Sequence, residues 1–425
     1  MLRTLRKAEY AELVALFLLL GAALAMWTVP LSTVLDAHGL HVIKPFAFAA
    51  TALAAFVSPL IFGAMADRHA SPVKVLRGLA VATAAAMTLA STAIKLGWNA
   101  WLVLALIQLH ALCSAPLFSI ACALVFERLA DAKKEFGPIR AMATLGWMAG
   151  CWVISALGAD TSTTAGYAGA VMWLLLAGFT PFLPPLATPR AAEHLTWHER
   201  LGLDALTLLK NRDHRVVFVT SALFSIPLAG FYPYAPPQLR DHGLLHTTAW
   251  MSLAQITEVI AMFSLGALLA RWRLKWIFAC GLAFGVLRFG LSATDCFPWL
   301  LFGVFIHGCS YTLVLITGQI YLDQRVDPSW RARAQALLTL MNNGVGNLLG
   351  YLGCGGWFAI CTRDSTTGWP VFWGGLAMAA GLVMAYFLTA YHGVGTGFLR
   401  TEPAGASNPR TGICKAGNLR VPDEQ

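Results

Sequence analysis

Long apolar stretches separated by short polar segments run along the whole chain. Twelve stretches are long enough and poor enough in charge to predict transmembrane α-helices, because about 20 apolar residues cross the hydrocarbon core of a bilayer. The predicted helices cover residues 11–34, 43–66, 78–97, 99–126, 140–159, 165–187, 216–239, 246–270, 274–293, 297–322, 334–360 and 370–391. The pattern therefore predicts an all-α membrane protein.

Composition supports a membrane protein. Of the 425 residues, 57% are hydrophobic and only 12% are charged, whereas a soluble globular domain carries about 25% charged residues. The net charge of +9 does not indicate nucleic-acid binding, since most of the 30 Lys and Arg residues lie in the two tails and the even-numbered loops. Positive charge of this kind collects on the cytoplasmic side of a membrane. We therefore expect both termini in the cytoplasm, the bilayer as the surroundings and no nucleic acid as a partner.

The helices divide six and six. We predict an N-terminal bundle over 1–187, a cytoplasmic linker over 188–215, a C-terminal bundle over 216–391 and a disordered tail over 392–425. Alternating apolar and charged residues in "WHERLGLDALTLLKN" predict an amphipathic helix in the linker. The first helix of each half carries an aromatic–proline break, "MWTVPLSTVL" and "FYPYAPPQL". Corresponding breaks in two halves are typical of a transporter built from repeats, with its substrate site between them.

A carboxylate stands in the eighth predicted helix, within "SLAQITEVIAMFSLGALLA". Burying a charge at the centre of a bilayer costs at least about 2.5 kcal/mol, so Glu258 needs a partner or a function. Gln255 precedes it by three residues and shares its helical face. The pair offers amide donors and a carboxylate acceptor to a polar solute. The alternatives are polar contacts that hold helices together, or a buried carboxyl that stays protonated.

A polar stripe follows the fifth predicted helix, in "FGPIRAMATLGW". Arg140, Thr144 and Trp147 lie at positions i, i+4 and i+7, which places them on one face. A guanidinium, a hydroxyl and an aromatic ring in line can pair with charge, donate a hydrogen bond and stack on a planar group. The alternative for Arg140 is an anchor that extends to the cytoplasmic membrane surface.

Two intramembrane histidines are candidates for proton coupling. His307 lies four residues before Tyr311 in the tenth predicted helix, and His110 lies in the fourth. Each can relay a proton or serve as a hydrogen-bonded packing residue. Arg288 and the asparagine cluster of the eleventh helix are expected to hold helix contacts.

Several motifs resemble known families. Gly63, Asp67 and Arg68 in "FGAMADRH" are similar to a degenerate form of the loop motif between helices 2 and 3 of the major facilitator superfamily. The stretches "IRAMATLGW", "LGLDALTLLKN", "AQITEVIAMF" and "HGCSYTLVLITGQIYLDQRVDPSWRARAQALLTLMNNGVG" resemble the bacterial nucleoside:proton symporters of that superfamily. The resemblance implies two pseudo-symmetric six-helix bundles, alternating access and proton-coupled nucleoside uptake. It places the family's sugar- and base-contacting residues on Arg140, Thr144, Trp147, Gln255, Glu258 and Tyr311.

The chain departs from that family pattern at helices 7 and 10. Where the family has a Gln and an Asn, this chain has Ala229 and Tyr232, and where the family has an Asp it has Thr312. The resemblance then leaves Glu258 or a histidine to handle the proton, or leaves transport uncoupled.

We therefore predict a secondary transporter of the bacterial inner membrane that imports nucleosides with a proton. It is expected to be a monomer and to need no cofactor and no metal. The alternatives are an uncoupled or differently coupled carrier of a sugar or modified nucleoside, and a non-transporting sensor. No phosphate-binding loop, metal-spaced cluster or nucleophile motif of the usual kinds indicates an enzyme.

Overall fold

A computed structural model describes residues 10–67, 71–129, 132–183, 196, 198, 201, 203–327, 330–362 and 368–393. Helices and their connections make up this part of the chain, and it contains no β-strand. For residues 58–67, 132–134 and 332, only the backbone is described.

Within the described residues, twelve long helical segments follow one another, as the hydropathy pattern predicts. Eleven of them are long and apolar enough to cross a membrane, and α2 is the twelfth segment. They are α1 (Ala11–Ala37), α2 (Lys44–Asp67), α3 (Pro72–Lys95), α4 (Ala100–Phe126), α5 (Ala132–Ala156), α6 (Thr164–Phe182), α7 (Arg212–Asp241), α8 (Thr247–Arg271), α9 (Leu274–Ala293), α10 (Phe297–Arg325), α11 (Arg333–Cys361) and α12 (Trp369–Ala390).

The helix ends differ from the predicted ends where charged turns extend an apolar segment. Helix α3 begins at Pro72 rather than at residue 78, and α5 begins at Ala132 rather than at residue 140. Hydropathy marks only the part of a helix that matches the hydrocarbon core, whereas backbone hydrogen bonds continue through polar turns beyond it.

Two helices are interrupted at matching places. Helix α1 breaks after Thr28 and resumes at Leu31, and α7 breaks after Leu228 and resumes at Phe231. Pro30 lies in the first break. Proline has no backbone N–H group to donate the next helical hydrogen bond, which favours an interruption there. The first aromatic–proline sequence spans the break in α1, whereas the second begins directly after the break in α7 and is helical itself.

Two helices of the C-terminal half contain wider, π-helical turns. They span Thr312–Ile316 in α10 and Leu340–Gly346 in α11. Such turns within α-helices are frequent at functional sites. The first of them directly follows Tyr311.

Apolar side chains cover the outer faces of the helices. On α12, Met378 is 67% exposed and Leu382 is 66% exposed. Soluble monomers rarely expose large contiguous apolar surfaces, so this face fits a lipid environment.

Each half has its own buried apolar core, one built mainly from residues of α1 to α6 and the other mainly from α7 to α12. Glycines let helices touch by their backbones within these halves. A Cβ on Gly146 would lie 2.1 Å from the carbonyl oxygen of Leu18, and one on Gly21 would lie 2.0 Å from that of Ala143. Helices α1 and α5 therefore pack in direct backbone contact, as small residues allow in membranes.

Polar contacts join the two halves at the end of the molecule where α5 leads to α6 and α7 leads to α8, here called the odd-loop end. The Asp160 carboxylate accepts a hydrogen bond from the backbone N–H of Thr248 at 2.7 Å and another from the Ser155 hydroxyl at 2.8 Å. Ser155 in turn accepts from the backbone N–H of Ala249 at 2.9 Å. Asp160 thus caps the first turn of α8 from the opposite half.

Two further hydrogen bonds close the same end. The Ser32 hydroxyl donates to the carbonyl oxygen of Pro233, and the Trp152 indole donates to the Ser252 hydroxyl at 3.0 Å. Each bond joins an N-terminal helix to a C-terminal one. These cross-half hydrogen bonds close the odd-loop end, where the hydroxyls of Thr247 and Thr248 stay without a partner.

Some predicted features lie only partly within the residues that the structure describes. In the linker, the structure describes a 3₁₀ helix over Leu203–Lys210, which contacts the start of α11 through Arg333 and Asp204 (4.0 Å). Gly63 and Asp67 belong to α2, but their side chains are not described, and Arg68 lies outside the described residues. The predicted disordered tail, apart from its first two residues, also lies outside them.

Candidate functional site

A cavity of about 260 Å³, here called the central cavity, lies between the two halves. Its lining combines polar and aromatic side chains from α5 with others from α7, α8 and α10. The lining residues are Gly21, Leu24, Phe118, Arg140, Ala143, Thr144, Trp147, Tyr232, Gln255, Glu258, His307 and Tyr311. All six predicted substrate-binding residues and one of the two candidate histidines therefore meet in one place.

Helix α5 brings its predicted stripe to this cavity. Arg140, Thr144 and Trp147 line it together, while Gly146 and Gly150 on the other side of α5 pack against α1. Thr144 is buried, and the other two are half-buried. Since Arg140 faces the cavity, the structure does not place it as a membrane-surface anchor.

Helix α8 divides into a lipid face and a cavity face. Ile256 and Ile260 are exposed, whereas Gln255 is buried and Glu258 is half-buried against the cavity. The three-residue spacing of the polar pair produces this separation, because residues three apart share a helical face. Gln255 lies next to Glu258 and Tyr232 in the lining of the cavity.

Close packing of α8 on α10 sets the position of Glu258. A Cβ on Gly308 would lie 2.0 Å from the backbone nitrogen of Glu258 and 2.5 Å from the carbonyl oxygen of Ala254. The Thr257 hydroxyl also donates to the carbonyl oxygen of Phe305. Because the backbones of α8 and α10 touch directly behind Glu258, α8 has little room to shift and the position of the carboxyl group is fixed.

The charged groups of the central cavity have no ionic partner among the described residues. Neither Arg140 nor Glu258 forms an ion pair there, although they line the same cavity and their charges attract. The guanidinium of Arg140 lies over the Phe118 ring, 5.1 Å from its centroid. The Oε1 atom of Gln255 is buried and also has no hydrogen-bond partner. Buried polar groups normally have partners, so these groups are available to a guest.

Helix α10 contributes two rings. His307 and Tyr311 both line the cavity, with ring centroids 6.3 Å apart. His307 stacks on Phe231 of α7 at 3.9 Å and 12°. Thr312, the next residue after Tyr311, is fully buried, does not line the cavity and leaves its hydroxyl without a partner.

The structure adds Phe118, which the sequence did not single out, and brings to the cavity Tyr232, one of the two helix 7 positions at which this chain departs from the family pattern. Tyr232 of α7 lies opposite Trp147 with 5.9 Å between ring centroids, so two aromatic rings face each other across the halves. Phe118 of α4 lies beneath Arg140. Proline and aromatic residues near Tyr232 marked a break in α7, but neither periodicity nor composition marked Phe118, since its position depends on how α4 packs on α5.

His110 is the candidate residue that the structure places elsewhere. It lies in α4 against Trp27, with ring centroids 5.5 Å apart, and lines a separate cavity of about 10 Å³. Its Nε2 atom is buried without a hydrogen-bond partner. His110 therefore belongs to the interior of the N-terminal half and not to the central cavity.

The fold and the cavity define a class of protein. The crystal structure of the nucleoside transporter NupG superimposes with a TM-score of 0.80 at 23% sequence identity, covering 90% of this chain and 99% of that one. The twelve helical segments of the described residues, arranged in two halves with a polar cavity between them, therefore have the fold of that structure, the major facilitator fold.

Sequence comparison then identifies the family. The family model described as "Nucleoside H+ symporter" matches residues 11–393, so the chain belongs to the nucleoside:proton symporter family. YegT of Escherichia coli strain K12, named as a candidate nucleoside transporter, is 33% identical over 344 residues, which cover 76% of this chain and 79% of YegT. The nucleoside permease NupG of the same strain is 28% identical over 258 residues, covering 57% of this chain and 62% of NupG.

Proposed function

We propose that this protein imports nucleosides across the bacterial inner membrane together with a proton. One observation carries the proposal. Charged, polar and aromatic groups from both halves line one cavity, and Glu258 and Arg140 do not form an ion pair with each other there. A nucleoside offers hydroxyls, a planar ring and polar ring edges, which complement such a lining. Family membership over nearly the whole chain supports the same substrate class.

Each wall has its own role in this proposal. Glu258 accepts hydrogen bonds from ribose hydroxyls, with Gln255 beside it, while Arg140 and Thr144 contact polar edges of the ligand. Trp147 and Tyr311 stack on the base. Supporting this division, the donor-rich groups and Trp147 lie on α5, and the carboxyl lies on α8 across the cavity.

Glu258 also carries the proton. It is the only carboxyl group among the residues that line the central cavity. The position at which the family resemblance implies an acid holds Thr312, whose hydroxyl donates a hydrogen bond but does not ionise near neutral pH. A carboxyl that both binds substrate and titrates makes the two events depend on each other.

In this proposal the two halves move around the bound nucleoside, so that the cavity opens alternately to one side of the membrane and to the other. Contacts from α5 and from α8 to one ligand favour the arrangement in which both reach it, so binding changes the equilibrium between arrangements. The distribution of Lys and Arg supports cytoplasmic termini, which makes the closed odd-loop end the periplasmic one. One chain contains both halves of the cavity, and we propose that it works as a monomer.

Uptake of labelled uridine and adenosine tests this function. Cells or proteoliposomes with wild-type protein should accumulate at least one of the two nucleosides when the inside is more alkaline, and a protonophore should abolish the accumulation. Glu258→Gln should lose proton-driven accumulation, because the amide cannot titrate. Glu12→Gln is the matched control, since Glu12 pairs with Arg128 at 3.6 Å and does not line the cavity; it should transport normally.

The outcomes separate the rival functions. Unchanged proton-driven accumulation by Glu258→Gln contradicts its role. Uptake that a protonophore leaves unaltered indicates an uncoupled carrier. Nucleoside binding without any flux indicates a sensor.

A further inference from the structure

Arg288 of α9 is a buried cation behind the wall of the central cavity. Its side chain is among the largest that are fully enclosed, and the residue is only 2% exposed. The guanidinium lies between two aromatic rings, 4.5 Å from the centroid of Phe231 and 4.4 Å from that of Phe289. Among the described residues, no carboxylate forms an ion pair with it. Two ring faces therefore stabilise a charge that has no acidic partner.

The polar contact of Arg288 is with His307. Its Nη1 atom is in hydrogen-bonding contact with Nδ1 of the imidazole. A guanidinium only donates hydrogen bonds and stays charged in proteins, so Nδ1 must accept. The imidazole is then neutral, with its proton on Nε2, because a second proton on Nδ1 would face the cation.

Packing holds this ring in place at the cavity wall. His307 is 5% exposed and stacks on Phe231, while Tyr232 packs at its edge with centroids 6.5 Å apart. Since Nδ1 of His307 accepts from Arg288, only its Nε2–H group can form a hydrogen bond with a ligand in the cavity. No described residue accepts a hydrogen bond from it.

The chemistry of the lining then separates donors from acceptors. Arg140, Tyr311 and the fixed Nε2–H of His307 can donate hydrogen bonds, whereas Glu258 and the Oε1 atom of Gln255 accept them. Ribose hydroxyls suit the acceptors, because they donate. The base then meets Arg140 and the Nε2–H of His307, which only donate hydrogen bonds, and the Tyr311 hydroxyl, which can also accept them.

We propose that Arg288 fixes His307 as a neutral hydrogen-bond donor to an exocyclic oxygen of the base, so that the cavity selects oxo nucleosides over their amino counterparts. The inference rests on the proposed nucleoside site. An amino group in place of the oxygen sets a donor against a donor and leaves the buried Nε2–H unpaired, which a binding site rejects strongly. His307 is a substrate-contacting residue in this proposal, and Arg288 is a positioning residue that acts through it. His307 then serves recognition and does not carry the proton.

Two matched pairs of nucleosides test the selection on purified, full-length protein. Inosine and adenosine differ at one exocyclic oxo or amino position and its neighbouring ring nitrogen, and so do uridine and cytidine. Equilibrium binding to the wild type should be at least about tenfold tighter for inosine and for uridine, which corresponds to about 1.4 kcal/mol. Equal affinity within both pairs overturns the inference and leaves the proposed function intact. Failure of all four nucleosides to bind overturns the proposed function and the inference with it.

Two pairs of variants test the assigned residues. His307→Leu should bring both ratios to within about threefold of unity, whereas His307→Gln, which keeps an amide donor, should retain selection. Arg288→Leu should weaken selection, because His307 is then free to change tautomer, and Arg288→Lys should preserve it, because an ammonium group also only donates hydrogen bonds. Unchanged ratios in His307→Leu or Arg288→Leu contradict the role given to that residue. The wild-type ratios decide the central point without any variant.

Discussion

The two halves of the molecule meet through polar groups in two regions, and these regions treat their polar groups differently. At the odd-loop end, Asp160 and Ser155 of one half are satisfied by backbone N–H groups of α8 in the other half. In the central cavity, Arg140 and Glu258 face each other from different halves without forming an ion pair among the described residues. Polar groups that bond across the interface hold the odd-loop end closed, whereas the unpaired groups of the central cavity can bind a ligand.

The difference also concerns reversibility. The hydrogen bonds at the odd-loop end come from short side chains and helix termini, and each contributes roughly 0.5–1.5 kcal/mol, or more where a charge is involved. A few such bonds can be broken in a transport cycle. The cavity wall instead depends on backbone contacts between α8 and α10, which cannot separate without moving Glu258.

The largest expected effect comes from Gly308→Ala. The added Cβ would lie 2.0 Å from the Glu258 nitrogen, so α8 and α10 must move apart. Overpacking of this kind costs about 1–3 kcal/mol or more, and we expect loss of nucleoside binding together with a lower melting temperature. Gly266→Ala on α8 is the control, because nothing lies within 4 Å of a Cβ there. Normal binding by Gly308→Ala would mean that this contact does not position the acid.

Asp160→Asn should weaken the closed end without altering the cavity. The charge-assisted hydrogen bond from the Thr248 N–H group becomes a neutral one. A loss of about 1–2 kcal/mol raises the equilibrium constant for opening of this end roughly 5- to 30-fold. Hydrogen–deuterium exchange of the segment that contains Thr248 and Ala249 should accelerate accordingly. Asp295→Asn provides the control, since Asp295 bonds to Gln238 and His242 within one half.

Trp152→Phe should have the smallest effect of this series. It removes one neutral hydrogen bond to Ser252 at the odd-loop end and keeps most of the ring, so we expect about 0.5–1.5 kcal/mol less stabilisation of the closed arrangement. The same exchange measurement should show a smaller acceleration than for Asp160→Asn. An acceleration as large as that of Asp160→Asn would contradict the ranking of the two contacts.

Helical periodicity accounts for what could be predicted about the site. Arg140, Thr144 and Trp147 were placed on one face by their spacing, and so were Gln255 and Glu258; the structure brings both faces to one cavity. Within a helix, the sequence determines direction, because residues three or four apart lie on the same side. The twelve helices followed from hydropathy for an equally local reason.

Contacts between helices account for what could not be predicted. His110 and His307 are both intramembrane histidines, and local sequence does not separate them. His307 reaches the cavity and meets Arg288 because α9 and α7 pack beside α10, whereas His110 packs against Trp27 inside the N-terminal half. Phe118 reaches Arg140 for a similar reason. Such neighbours depend on tertiary packing, which spacing along one helix does not encode.

The most direct test of the account measures uridine binding by titration calorimetry on variants of each half. Arg140→Gln changes the wall from α5, and Gln255→Leu changes the wall from α8. If one nucleoside satisfies groups of both halves, each variant should bind uridine at least about tenfold more weakly than the wild type. Wild-type affinity in either variant would contradict a ligand shared between the halves.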